Sequence, residues 1–200
     1  MARNFAQLAK NAEKSSSSIA VSKESIETPP LKIHTLGNEI LRKPAKRIAK
    51  VDEKTRGLIK EMLVSMYSAK GIGLAAPQIG IHQELLVIDL DIENPTSPPI
   101  ILINPEITSF SGSLDTYEEG CLSIPGVYLD VIRPSSIKLH YRDEMGRPKK
   151  LNADGLLARC IQHEMDHLKG VLFVDRVMNE ENLARELKEN GFQKKDVIAI

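Results

Sequence analysis

The chain has 200 residues, of which 42% are hydrophobic and 27% charged, and its formal net charge is zero. This composition is ordinary for a globular domain and gives no indication of a broad basic surface for nucleic-acid binding. No apolar run approaches the ~20 residues of a transmembrane helix. Two cysteines are too few for a disulfide scaffold, which favours an intracellular protein.

Residues 1–30 are predicted to be a flexible N-terminal extension, and residues 31–200 a single domain. The first segment is polar, with a run of serines at 15–18, and offers little apolar surface to bury. An organellar transit peptide is the alternative, because Arg3 and the serines fit one. Acidic residues in the same segment argue against import: Glu13, Glu24 and Glu27.

A short strand is predicted at 31–33, followed by a helix that Asp52 caps. The apolar residues after Asp52 are spaced for one buried helix face. These residues are Leu58, Ile59, Met62, Leu63, Met66 and Tyr67. The glycine-rich segment 71–80 is interpreted as an irregular link whose glycines permit close approach by another chain or ligand. Within it Gln78 is unusual, although an amide in apolar surroundings is most often a satisfied core group.

The middle of the chain is predicted to be all β. Short apolar runs bounded by turn residues indicate strands at 85–89, 100–103, 128–133 and 137–142, with a hairpin turn at 143–146 and the last strand residue at Leu151. The segment 118–126 is interpreted as a loop with turn residues around Cys121. A lone cysteine is more often buried and inert than functional.

The next predicted helix runs between an N-cap at Asp154 and a C-terminal glycine, Gly170. It contains the pattern H-E-x-x-H at 163–167, which places His163 and His167 on one helix face, where both imidazoles can bind one metal ion. Glu164 lies beside the first ligand, where a general base is required. The alternative is a polar helix face on which two histidines occur by chance. This coincidence is uncommon, because the whole chain has only five histidines.

After an extended piece at Phe173, Asn179 is predicted to cap a last helix with a solvated charged face.

The metal needs a third ligand, and two cysteines compete for this role. Cys160 lies three residues before His163 and shares its face, whereas Cys121 is distant in sequence and is favoured only modestly. A Cys–His–His set leaves the fourth position open, as a catalytic metal requires.

Three segments together resemble the motifs of the peptide deformylase family, complete and in family order, within roughly residues 31–175. They are Gly-Ile-Gly-Leu-Ala-Ala-Pro-Gln at 71–78, Glu-Gly-Cys-Leu-Ser at 119–123 and Gln-His-Glu-Met-Asp-His-Leu at 162–168. The predicted fold class is α+β, with short antiparallel β-sheets wrapped around a central helix that carries the H-E-x-x-H motif, a helix in the N-terminal half and a short C-terminal helix.

The resemblance implies a metallohydrolase that removes the formyl group from N-terminal formyl-methionine of new polypeptides. It implies Cys121, His163 and His167 as ligands of Fe²⁺ in the cell, with Zn²⁺, Ni²⁺ or Co²⁺ as possible substitutes. It implies Glu164 as general acid and base. The Gln78 amide and the Leu122 backbone N–H would stabilise the developing oxyanion.

The resemblance also implies how the substrate binds. Its backbone would pair, as an added strand, with Ile72-Gly73 and with Glu119-Gly120. The methionine pocket would be lined by Ile72, Tyr117, Leu156, Arg159, Cys160 and His163. For Arg159 two positions are open: its stem lines the pocket mouth and its charged end reaches water, or the residue lies on the surface.

The resemblance implies a monomeric, cytoplasmic enzyme of bacterial type. Its expected partners are formyl-methionine nascent peptides at the ribosome, with no sequence-specific nucleic acid and no membrane among them. One alternative is a zinc endopeptidase, because H-E-x-x-H is also the signature of that class. A third Cys ligand in a Glu-Gly-Cys-Leu-Ser segment argues against it. Another alternative is a binding protein with a structural metal, which would need a closed shell of four ligands.

Overall fold

The computed structural model describes residues 19–200, so the first part of the predicted extension lies outside the described residues. The helices are α1 (Glu53–Ser68), α2 (Gly155–Leu168) and α3 (Glu180–Glu189). The strands are β1 (Gly73–Ala75), β2 (Leu85–Ile88), β3 (Ile100–Phe110), β4 (Leu114–Cys121), β5 (Ile124–Pro134), β6 (Ser136–Arg142) and β7 (Pro148–Asp154).

The strands form two antiparallel sheets. One has five strands in the order β1-β2-β3-β6-β7, and β4 and β5 pair separately as a hairpin. Helix α2 packs against strands of both sheets, which places it at the centre of the molecule. The prediction of short antiparallel sheets around a central helix is confirmed.

Strand β2 explains why the large sheet is covered on both faces. Successive side chains of a strand point to opposite faces. Leu85 and Val87 therefore pack into the core formed with α1, whereas Leu86 and Ile88 pack into the core formed with α2. All four are fully buried, so β2 appears in the sequence as a continuous apolar run.

Both long helices begin or end where their sequences indicate. The Asp52 side chain accepts a hydrogen bond from the Thr55 backbone N–H at 2.9 Å, which satisfies one of the free donors at the start of α1. At the end of α2, Gly170 adopts a positive φ of 74° and the Val171 N–H donates to the Asp166 carbonyl at 3.0 Å. The expected left-handed helix end at Gly170 is therefore present.

Three local predictions are wrong. Residues 31–33 form no strand, because the Leu31 N–H donates to the Ser65 hydroxyl of α1 and no strand lies beside this segment. The region around Cys121 is not a loop, since Cys121 is the last residue of β4. Phe173 begins a 3-10 helix, Phe173–Arg176, in place of an extended piece.

Residues 19–30 are not detached from the domain, contrary to the expected boundary at residue 30. Ile19 is 4% exposed and lies in the core beside α1, and Val21 packs against the same core. Lys23 forms an ion pair of 2.5 Å with Asp89 at the end of β2. The apolar residues and the lysine were overlooked because they are scattered in a polar, serine-rich sequence.

Within residues 19–200, no helix has the length and apolar character needed to cross a bilayer.

Candidate metal centre and active site

Helix α2 carries two histidines into the interior. His163 and His167 are four residues apart, so they lie on one face of the helix. Their exposed fractions are 8% and 1%, and their ring centroids are 5.2 Å apart. The helix therefore presents two imidazoles to one buried point, as its sequence predicts.

Cys121 completes a group of three possible metal ligands. It ends β4 and is brought against α2, where its Sγ lies 3.3 Å from Nε2 of His167. One ligand atom from each of Cys121, His163 and His167 lies within 4.8 Å of the others. A thiol and two imidazoles at such separations fit a divalent transition metal with a fourth position open to water or substrate.

Cys160, the competing cysteine, lies outside this group. Its thiol is directed at the Ile72 carbonyl, 3.9 Å away. Burial raises the pKa of the Cys160 thiol well above its ordinary value, which favours the neutral and poorly ligating form. Cys160 instead forms part of the cleft wall next to β1.

Glu119 orients the first histidine. Its Oε2 lies 2.8 Å from Nδ1 of His163, so the other ring nitrogen, Nε2, is left for a metal. Burial alone would raise the pKa of Glu119, but hydrogen bonds from His163 and Arg133 outweigh it and hold the pKa well below the usual range. Glu119 was expected to contribute backbone to substrate binding, and its buried side chain has this additional contact.

Arg133 links Glu119 to helix α2. Sequence reasoning did not identify Arg133 as part of the site. Its guanidinium donates two hydrogen bonds to Glu119, at 2.6 and 2.9 Å, and a third to Asp166 at 2.6 Å. Asp166 also pairs with Arg176. One signal was present in the sequence, since Arg133 continues the alternating inward positions of β5 that Val127, Leu129 and Val131 occupy.

Arg159 lines the cleft, but neither expected position for its charged end, in water at the pocket mouth or on the surface, is correct. It is 7% exposed, and its guanidinium binds the carbonyls of Asp115 and Val131 and the carboxylate of Glu119. The charged end therefore does not reach water but fastens α2 to the β4–β5 hairpin. Its guanidinium carbon is also 6.0 Å from the centroid of the Tyr117 ring.

Gln78 lies in a short 3-10 helix, Ala76–Ile79, and is 1% exposed. Its Oε1 accepts a hydrogen bond from the Ala75 N–H at 2.8 Å, which fixes the orientation of the amide. The Nε2 is then directed at the Ser123 hydroxyl at 3.1 Å and the Cys121 thiol at 3.5 Å. Gln78 is therefore a satisfied buried amide whose nitrogen lies beside Cys121, one member of the Cys–His–His group.

Glu164 lies beside β1. A Cβ on Gly73 would come within 2.5 Å of its Oε1, so only glycine lets β1 approach this close. Its Oε2 is buried and has no hydrogen-bond partner among residues 19–200. Burial raises the pKa of Glu164 to about 7, near the value at which a carboxyl group can both accept and release a proton in neutral solution.

Most of the side chains described above line one cleft of about 560 Å³, whereas His167 and Arg133 lie behind its wall. All of the residues predicted to bind substrate line it, namely Ile72, Gly73, Tyr117, Glu119, Gly120, Leu156, Arg159 and Cys160. Gln78, Leu122, His163 and Glu164 line it too, as does Tyr128, which sequence reasoning did not identify. The cleft lies between β1, the edge strand of the large sheet, and β4.

A Cys–His–His group with buried histidines beside a carboxyl and an amide, in a cleft of this kind, defines a metal-dependent hydrolase. The sequence model of the polypeptide deformylase family matches residues 30–183, and the chain belongs to this family. Its members remove the N-formyl group from nascent polypeptides, and this is the reaction of the chain described here.

Similar proteins agree with this assignment along most of the chain. A peptide deformylase of Prochlorococcus marinus is 74% identical over 200 residues, which are 100% of this chain and 98% of that protein. The crystal structure of a peptide deformylase from Synechococcus elongatus, in complex with actinonin, is 55% identical, with a TM-score of 0.91 and coverage of 92% of this chain and 100% of that one. A Legionella pneumophila peptide deformylase structure is 42% identical, with a TM-score of 0.74 and coverage of 80% and 94%.

Proposed function

We propose that this chain performs deformylation at a metal ion held by Cys121, His163 and His167. The observation that carries the proposal is the convergence of their three ligand atoms within 4.8 Å, at a cleft that Glu164 and Gln78 also line. The ion would supply Lewis-acid chemistry, lowering the pKa of a water and polarising the formyl oxygen. Fe²⁺ is the proposed ion in the cell, and Zn²⁺, Ni²⁺ or Co²⁺ the substitutes.

Glu164 moves the proton in this scheme. Its carboxylate takes a proton from the attacking water as the water oxygen bonds to the formyl carbon. The Gln78 Nε2 and the Leu122 backbone N–H stabilise the negative charge that develops on the formyl oxygen. Glu164 then gives the proton to the amine nitrogen as the carbon–nitrogen bond breaks, which releases formate and a free N-terminus.

The substrate is bound as an added strand between β1 and β4. The Ile72 carbonyl already accepts a hydrogen bond from the Asp89 backbone N–H, directly after β2, at 2.9 Å. Hydrogen-bonding groups alternate sides along a strand, so the N–H and C=O of the next residue, Gly73, face the cleft. Across the cleft the backbone of Glu119 and Gly120 completes the pairing, and the methionine side chain packs among Leu156, Cys160 and their neighbours.

The cellular setting follows from the reaction. Formyl-methionine is present on new polypeptides, so the enzyme is proposed to act as a cytoplasmic monomer on chains emerging from the ribosome. The direct test is formate release from a formyl-Met peptide by protein purified without oxygen. A peptidase would instead cleave an unformylated polypeptide, and that result without formate release would overturn the proposed function.

The choice of cysteine ligand gives one prediction. Cys121→Ser is expected to lose most of the bound metal, because a serine hydroxyl is a far poorer ligand for a soft or borderline ion than a thiolate. Cys160→Ser is the matched control and is expected to keep the parent metal content. Mass spectrometry of metals on both purified variants measures this. If Cys160→Ser loses the ion and Cys121→Ser keeps it, the third ligand is Cys160 on α2 and the proposed ligand set is wrong.

The contact between Glu119 and His163 gives another prediction. Glu119→Gln is expected to weaken metal binding ~10-fold to 100-fold, the usual effect of losing a carboxylate that orients a ligating histidine. Competition with a chelator of known affinity measures the dissociation constant. The control is Glu118→Gln, an exposed neighbour on the same strand. Equal affinities in the two variants would contradict the orienting role of Glu119.

A further inference from the structure

The segment 19–31 runs along the C-terminal half of α1, and here it is called the strap. It is held by apolar packing of Ile19 and by three hydrogen bonds to two serines of α1. The Ser25 hydroxyl donates to the Ser68 carbonyl, and the Ser68 and Ser65 hydroxyls accept from the backbone N–H groups of Ile26 and Leu31. The strap is thus attached to the last turn of α1. The next residues of the chain, 69–73, line the cleft.

Lys23 ties the strap to the segment that follows β2. Its ammonium group lies 2.5 Å from Asp89 Oδ2 and 3.0 Å from the Asp91 carbonyl, and the two paired side chains are 8% and 2% exposed. The Tyr67 hydroxyl donates to the same carboxylate oxygen at 2.7 Å. Within residues 19–200, Lys23 is the cation paired with this carboxylate, and a buried carboxylate needs such a partner.

Asp89 connects Lys23 to Ile72-Gly73, the segment proposed to pair with the substrate backbone. The backbone N–H of Asp89 donates to the Ile72 carbonyl, which continues the pairing of β1 and β2 one residue beyond their terminal pair, Gly73 and Ile88. That bond sets the side of the strand to which Gly73 turns its N–H and C=O. A change in the position of Asp89 is therefore transmitted to Gly73 through one hydrogen bond and one peptide unit.

We propose that Lys23 is a positioning residue for substrate binding: through Asp89 it holds the Ile72-Gly73 edge in the orientation that pairs with the peptide backbone. The proposal rests on the proposed function, since it deepens the account of the same cleft. It assigns a role in the reaction to a residue outside the three sequence motifs, on a segment that the sequence alone excludes from the fold.

The test combines kinetics with amide hydrogen exchange in Lys23→Met, Lys23→Arg and a control, Lys32→Met, which alters an exposed lysine of the following segment. Lys23→Met is expected to raise KM for a formyl-Met tripeptide roughly 5-fold to 10-fold with little change in kcat, the pattern of lost binding common to ground and transition states. Exchange at residues 70–75 is expected to quicken. Lys23→Arg can still pair with Asp89 and is expected to restore both values.

Two results would overturn the proposal. Unchanged KM and exchange in Lys23→Met would show that the strap does not reach the cleft edge. A fall in kcat and metal content in step with melting temperature, at unchanged KM, would show a role in folding alone. The two proposals can fail separately. A parent protein that releases no formate would refute the proposed function. Hydrogen exchange needs no turnover, so it would still decide whether Lys23 positions the edge at residues 70–75.

A second variant keeps the test valid if Lys23→Met does not fold. Combining Lys23→Met with Asp89→Asn removes both charges, so no unpaired carboxylate is left buried. The tether from the strap is still lost. The same rise in KM and in exchange at residues 70–75 is expected, and their absence from the folded double variant would overturn the proposal.

Discussion

Replacing Glu164 by alanine is expected to lower kcat ~10²-fold to 10⁴-fold, the usual contribution of a positioned general acid and base. The metal content should stay that of the parent, because the three ligand atoms belong to other residues. Glu164 is buried, its Oε2 has no partner within residues 19–200, and burial raises its pKa to about 7. Each of these features suits a group that handles a proton and does not merely stabilise the fold.

The measurement for this variant is single-turnover formate release by samples with equal measured metal content. Glu61→Ala is a suitable control, since it also removes a carboxylate from a helix but at an exposed position of α1. If metal-loaded Glu164→Ala turns over at close to the parent rate, the proton is moved by another group and the proposed mechanism is wrong.

Replacing Gln78 by glutamate is expected to lower kcat/KM at least ~100-fold, the cost of removing one oxyanion donor. Glutamate is nearly isosteric and can still accept from the Ala75 N–H, so the local fold is retained. An ionised carboxylate has no donor for the formyl oxygen, and its charge would oppose the charge developing there. Melting temperature and metal content are expected to remain near the parent values.

The three quantities are best measured on one preparation, beside Gln83→Glu as an exposed control with the same chemical change. The amide is also a satisfied core group, with its oxygen held by Ala75 and its nitrogen near Ser123. If activity in Gln78→Glu falls only in proportion to lost folding or lost metal, the residue has that structural role and no other.

The helices could be predicted because their signals are local. In α1 the cap at Asp52 and the apolar spacing through Tyr67 lie within one segment, and a single helical period explains them. In α2 the two histidines share a face for the same reason. Whether Cys121 or Cys160 joins them could not be decided in this way, because the answer depends on packing of β4 against a helix that follows 34 residues later.

Buried charges were the harder part of the site to predict. Arg159 was expected at a pocket mouth or on the surface, since a lone arginine seldom lies in a core. It is buried because Glu119 and two carbonyls meet it there, and those partners come from β4 and β5. Lys23 was overlooked for the same reason, as its partner Asp89 is more than sixty residues away.

The most direct test of the central claim is formate release by the parent protein as a function of metal loading. The chelated protein is titrated with Fe²⁺ without oxygen, and formate release from a formyl-Met peptide and bound metal are measured on each sample. The account predicts that activity is absent without metal and rises in proportion to loading until one ion is bound per chain. Full formate release from metal-free protein, or activity that requires a second ion, would contradict it.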